Sequence, residues 1–297
     1  MIQVKNVTKT FSDVKALDGL NINVPKGAVY GLVGPNGAGK STVLRHITGI
    51  YRQDSGEVLV NGEPVFENPK IKKDIAYIPD DIFYYNQATI KDMMKFYKGV
   101  CPNFSMERYE MLRPAFELND NKKMRSMSKG MQKQAAFWLA MSMCPKVLIL
   151  DEPVDGLDPV MRRQVWSLLM SDVAENDTTV LVSSHNLREL EDVCDHVGIM
   201  SKGRMLLERS LSDMQENIAK VQVAFPDGTE IPRELKVVHE SSQGKLRTLI
   251  VRGNTEEIMN CIAAHNPLFA DILPLSLEEI FIYELGGEHY EVKDILF

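Results

Sequence analysis

Residues 34 to 42 read Gly34, Pro35, Asn36, Gly37, Ala38, Gly39, Lys40, Ser41 and Thr42, and no other stretch narrows the choice of fold as far. The pattern G-x-x-x-x-G-K-[ST] places glycine where a backbone must wrap a phosphate closely and adopt unusual φ angles. The amides of such a loop, with the N-terminus of the helix behind it, point at an anion. Lys40 supplies a point charge for the β and γ phosphates, and the Ser41 hydroxyl can ligate Mg²⁺. The loop needs a strand before it and a helix after it. Val29 to Val33 is a short apolar run ending at the loop, and Lys40 to Thr48 is helix-prone.

The rest of the first half repeats that alternation. Val147 to Leu150 is a continuous apolar run, as a strand covered on both faces requires. A helical stretch from Val160 to Ala174 comes next, then a second apolar run from Thr179 to Ser183. Strands alternating with helices predict an α/β fold with a mainly parallel sheet. Between Thr89 and Cys144 the composition shifts to Met, Lys, Glu and aromatics, which predicts a helical subdomain over about 87–144. After the Gly203 turn, strand-like runs (Val221 to Phe225, Leu246 to Val251) and helical runs (Glu256 to Ala264, Leu277 to Leu285) predict a small α+β appendage. Pro226, Asp227 and Gly228 mark a turn within it. The expected division is 1–215 for the main domain and 216–297 for the appendage.

The apolar run at Val147 ends in Asp151, Glu152 and Pro153. A buried parallel strand delivers both carboxylates at its carboxyl end, where α/β sheets bind ligands. Asp151 is suited to holding Mg²⁺, and Glu152 to polarising or deprotonating an attacking water. Taken alone, an Asp-Glu pair also reads as two solvated acids at a strand end. Two more loops accompany it. Ser128, Lys129, Gly130, Met131 and Gln132 precede a helical run from Gln134 to Met143, and Ser183, Ser184 and His185 close the next apolar strand.

Phosphate loop, serine-glycine loop, Ile149 to Pro153, Asp155 to Asp158 and the late Ser-His pair stand in the order found in ATP-binding subunits of ABC transporters. The chain resembles that family over about residues 1 to 215. The resemblance implies ATP and Mg²⁺ as ligands, with a P-loop ATPase core that has an antiparallel β edge beside its parallel sheet. It places Phe11 where an aromatic stacks on adenine, with core packing as the lesser alternative for a lone aromatic. It makes Ser128 and Gly130 part of the signature loop, which contacts the γ-phosphate bound by the other subunit. It makes His185 the histidine that senses the γ-phosphate, and Asp158 an aspartate that crosses the dimer interface. A head-to-tail homodimer or heterodimer with a related ATPase is implied, with each ATP shared between subunits. An integral membrane transporter subunit on a separate chain is implied as the second partner. Export at the cytoplasmic face of the cell membrane is the expected setting.

Three positions depart from the family pattern. Lys129 replaces the first signature glycine and Met131 the signature glutamine. Asp80, after Ala76 to Pro79, stands where the family has a glutamine that links Mg²⁺ and the attacking water to the membrane subunit. An aspartate is one methylene shorter and charged, and is expected to ligate Mg²⁺ through water. The aromatic stretch Ile82 to Tyr85, with Met93, Met94, Phe96 and Tyr97, reads either as a groove for the membrane subunit or as a buried helix face.

Composition trims the remaining classes. The 297 residues carry 41 acidic and 34 basic side chains, a net charge of -7. That balance disfavours a phosphate-backbone binder, so no nucleic acid partner is expected. Its four cysteines are scattered, which favours reduced thiols over a disulfide framework. Residues 1 to 11 contain no long apolar run, so no secretory signal is expected. No apolar run reaches the roughly 18 residues that a bilayer span needs. A soluble ABC-type mechanoenzyme acting on ribosomes or DNA is the alternative. It is disfavoured by the single phosphate loop and by the absence of room for a long coiled coil. A small-molecule kinase is disfavoured by the signature loop and His185.

Overall fold

A computed structural model describes residues 1–85, 87–216, 218–226 and 231–285. The chain divides into two compact units, Met1–Glu208 and Arg209–Phe297. The division falls a few residues before the expected boundary at 215/216. Asp227 and Gly228, part of the expected turn, lie outside the described residues.

The first unit opens with β1 (Ile2–Phe11), β2 (Val14–Val24) and β3 (Val29–Val33), then α1 (Lys40–Ile47). Next come β4 (Ser55–Val60), β5 (Glu63–Pro64), α2 (Pro69–Lys72) and β6 (Ile75–Ile78). Three helices come after β6: α3 (Ile90–Val100), α4 (Met106–Phe116) and α5 (Lys129–Ser142). The unit continues with β7 (Val147–Asp151), α6 (Pro159–Asn176), β8 (Thr179–Ser184) and β9 (His196–Ser201), and ends within β10 (Arg204–Ser210).

Two sheets result. One runs β2-β1-β4-β5, and the other β10-β9-β3-β8-β7-β6. In the larger sheet β3 is parallel to both β8 and β9, and β7 is parallel to both β6 and β8. All five residues of β3, all five of β7 and all six of β8 are buried. Both faces are covered, which explains apolar runs instead of alternation. Each fully buried Val, Leu or Ile side chain contributes about 1.5–3 kcal/mol relative to exposure. One core joins the sheets, with Ile2, Val4 and Ile22 beside Leu32, Ile149 and Leu181, and with Val43, Leu44 and Ile47 of α1.

Strand register brings the strand ends together. Val33 pairs with Ser184, and Asp151 pairs with Ser183. The ends of β3, β7 and β8 therefore lie at one edge, and the loops that carry Lys40, Glu152 and His185 leave from it.

The helical part has its own anchors. A capping box starts α3: Thr89 Oγ1 accepts from the Asp92 amide, and Asp92 accepts from the Thr89 amide. Trp138 of α5 is fully buried, stacks on Tyr109 with ring centroids 4.4 Å apart, and donates its indole N–H to Tyr109 O. The helix α5 begins at Lys129, five residues before the expected start at Gln134. Ser128 caps it by accepting from the Met131 amide, so the signature residues form its first turn.

The second unit contains α7 (Leu211–Glu216), β11 (Ile218–Ala224), β12 (Lys236–Gln243), β13 (Leu246–Arg252), α8 (Thr255–Ala263), β14 (Phe269–Leu273) and α9 (Leu277–Leu285). Its sheet runs β12-β13-β11-β14, with antiparallel pairing between neighbours. Val221, Val223, Leu249 and Val251 pack with Ile258 and Ile262 of α8. Among the described residues, no helix is long and apolar enough to cross a membrane.

Candidate active site

The phosphate loop takes the shape that its residues demand. Gly39 has φ +104°, and a Cβ there would lie 2.7 Å from Ala16 O, so only glycine fits. Lys40 is the first residue of α1 and is 6% exposed. Its Nζ donates to Gly34 O at 2.7 Å and lies 3.3 Å from Glu152 Oε1. A cavity of about 330 Å³ opens over the loop. Asn36 to Thr42, Asp80 and Glu152 line it, together with Val14, Lys15, Ala16, Lys202 and Gly203.

Asp151 ends β7 and is 2% exposed. Ser183 Oγ donates to its Oδ1 at 2.6 Å. Among the described residues no basic side chain pairs with it, and a buried carboxylate without a cation beside it is costly. Ser41 and Asp80 line the adjoining cavity. A hydroxyl and carboxylates are the oxygen donors a hard divalent cation takes, so this set fits Mg²⁺.

Glu152 carries an unusual backbone, with φ +46°. A non-glycine residue in the left-handed region costs of order 1–3 kcal/mol and persists only when its surroundings enforce it. Its amide donates to Ser183 O and Ser183 Oγ, each at 3.2 Å. Its carbonyl accepts from Lys133 Nζ at 2.6 Å. The carboxylate is thereby turned toward Lys40 and His185. His185 Nδ1 lies 2.9 Å from Glu152 Oε2, which also accepts from the His185 amide at 3.2 Å. The hydrogen bond to Glu152 raises His185 above its ordinary pKa, against the lowering effect of burial.

The structure brings Lys40, Ser41, Asp151, Glu152, Asp80 and His185 together. Four other candidates stand apart. Ser128 and Gly130 do not line the cavity over the phosphate loop. A Cβ on Gly130 would lie 2.7 Å from Gly156 O, so the first turn of α5 packs closely on the loop after Glu152. Asp158 accepts from the amides of Val160 and Met161, each at 3.0 Å, and caps α6. Phe11 is 40% exposed and meets Tyr51 edge-on at 5.4 Å. Two further residues belong to the site without a role that the sequence pattern assigns. Ser183 is visible in the Ser-Ser-His run, but its bonds to both carboxylate residues depend on the β7–β8 register. Lys133 sits in α5 just before a run of Ala, Met and aromatics, and a lysine beside that apolar run is the available signal.

Comparison with known proteins decides the family. The family described as ABC transporter matches residues 17–155. ABC transporter ATP-binding protein YtrB of Bacillus subtilis is 31% identical over 289 residues, covering 97% of this chain and 99% of YtrB. The chain belongs to the ATP-binding subunits of ABC transporters. A second relative, bacitracin transport ATP-binding protein BcrA of Bacillus licheniformis, is 29% identical over 97% of this chain and 98% of its own. The solved structure of an ATP-binding subunit of an ABC transporter superposes with a TM-score of 0.67 at 27% identity, over 72% of this chain and 91% of that one. As an ABC ATPase the chain hydrolyses ATP.

Proposed function

We propose that this subunit powers export through a membrane-spanning partner on a separate chain, by pairing with a second ATPase subunit around ATP. The observation that carries the reading is a separation. Lys40, Ser41, Glu152 and Asp80 line the phosphate cavity, whereas Ser128 caps α5 and Gly130 packs against Gly156 O. A nucleotide held by Lys40 meets a signature loop only if another subunit supplies one. That subunit is a second copy or a related ATPase. ATP then favours the closed pair because contacts to its γ-phosphate exist only there.

In the reaction, water adds to the γ-phosphorus and the bond to the β-γ bridging oxygen breaks, releasing ADP and phosphate. Glu152 orients that water and accepts its proton, and Lys40 stabilises charge on the phosphate oxygens. Mg²⁺ held by Ser41, Asp151 and Asp80 supplies further charge neutralisation when bound. His185, already bonded to Glu152, is placed to donate to the γ-phosphate. Phe11 provides a face for adenine.

A surface for the membrane partner is supported by three exposed rings. Phe83, Tyr85 and Phe96 form a chain of edge contacts with centroids 6.5 and 6.1 Å apart. Beside them lies a cavity of about 280 Å³ lined by Tyr77, Ile82, Tyr84, Tyr97 and Leu139. The buried Met93 and Met94 belong to the helix core instead. The subunit works at the cytoplasmic face of the membrane, with no nucleic acid partner. The relative named for bacitracin transport supports export.

The test is purification of the tagged full chain from detergent-solubilised native membranes. A stoichiometric multi-pass protein is expected to co-elute. Ribosomal or DNA-bound proteins without a membrane chain would contradict the proposal.

A further inference from the structure

Lys133 is a buried cation at the junction of three elements. It lies in the second turn of α5 and is 5% exposed. Its Nζ donates to Glu152 O at 2.6 Å, just past β7, and to Asp80 Oδ1 at 3.3 Å, just past β6. An ammonium taken out of water costs several kcal/mol unless charge and hydrogen bonds compensate it. Asp80 is the sole carboxylate that pairs with it among the described residues.

We propose that Lys133 is a positioning residue for ATP hydrolysis, and that Asp80 is its counter-ion. Glu152 is held in the left-handed region from both sides. Ser183 takes its amide, and Lys133 takes its carbonyl. Removing the second clamp frees the peptide to relax toward negative φ, which swings the carboxylate away from Lys40 and His185. The same geometry explains why position 80 carries a charge. A neutral glutamine there would leave the Lys133 ammonium with a carbonyl partner and no anion. Asp80 thus answers to a lysine that the helical part of this chain brings into the site. The signature helix and the catalytic glutamate are tied through one side chain.

The experiment uses the full chain and four variants: Lys133→Met, Lys133→Arg, Asp80→Asn and the double variant Asp80→Asn with Lys133→Met. Single-turnover ATP hydrolysis, ATP affinity and melting temperature are measured for each. A displaced catalytic group costs up to about 100-fold in rate, so Lys133→Met is expected to slow hydrolysis by about 10- to 100-fold. Its ATP affinity is expected to change less than about threefold, because Lys133 does not line the phosphate cavity. Lys133→Arg is expected to recover most of the rate. Asp80→Asn is expected to slow hydrolysis less in the Lys133→Met background than alone, because the two share one interaction. The double variant removes both charges together, so it keeps the test open if the single lysine variant folds poorly. A Lys133→Met rate within twofold of the unaltered chain would overturn the proposal. So would parallel losses of rate, affinity and melting temperature that Lys133→Arg does not reverse, or strictly additive effects of the two substitutions.

Discussion

Glu152 contacts both Lys40 and His185, and these neighbours define what a substitution should do. Glu152→Gln keeps the size and removes the charge. It weakens the bond that raises His185, so the His185 pKa should fall toward or below its ordinary value of 6.5. Histidine titration by NMR measures this directly, and an unchanged value would remove Glu152 as the cause. The raised pKa also fixes the sign of a pH effect on stability. Charged His185 stabilises the chain most below its unfolded pKa, and that contribution is lost as pH rises through the higher folded value. Glu152→Gln should flatten this dependence. Lys40 has a separate role. Lys40→Met removes the point charge that faces the phosphates, and hydrogen bonds to charged groups are worth about 1.5–3 kcal/mol. ATP should bind roughly 10- to 150-fold more weakly to that variant by calorimetry. Affinity equal to that of the unaltered chain would take Lys40 out of nucleotide binding.

At the scale of elements, two helix starts double as candidate contacts with a second subunit. Ser128 caps α5 and Asp158 caps α6. Each cap substitution to alanine should cost about 1 kcal/mol without nucleotide, seen by urea denaturation. Asp158→Asn should retain the cap, and any loss of ATP turnover in that variant then reports a role beyond capping. Trp138 anchors the helical part, and Trp138→Ala should destabilise the first unit by about 3–5 kcal/mol, because it removes a fully buried ring stacked on Tyr109. The central strands are legible in the sequence because β3, β7 and β8 are covered on both faces and so read as unbroken apolar runs. The two edge strands of the second unit are not. β12 is polar and mostly exposed, and β14 is five residues long with Phe269 and Ile272 facing out. Neither has a buried face to impose alternation. Periodicity places the start of α5 too late because Lys129, Gly130 and Met131 carry no helical pattern, and the Ser128 cap sets the boundary instead. Lys133 and Ser183 escape a sequence reading for a related reason. Their partners are fixed by the meeting of β6, β7, β8 and α5, which no local pattern encodes.

At the scale of the whole molecule, the first unit gathers the proposed hydrolytic side chains at one edge of its sheet. Lys40, Ser41, Asp151, Glu152 and His185 meet there, whereas Ser128 caps α5 and Gly130 packs on the loop after Glu152. In the proposed cycle ATP therefore draws two subunits together, and hydrolysis releases them. The Glu152→Gln full chain tests this most directly, since it should hold ATP and turn it over very slowly. Its mass in solution would be measured by sedimentation with Mg²⁺ and ATP, with Mg²⁺ and ADP, and without nucleotide. A dimer with ATP and a monomer in the other two conditions is the predicted result. A monomer in all three, with ATP bound, would contradict the shared site.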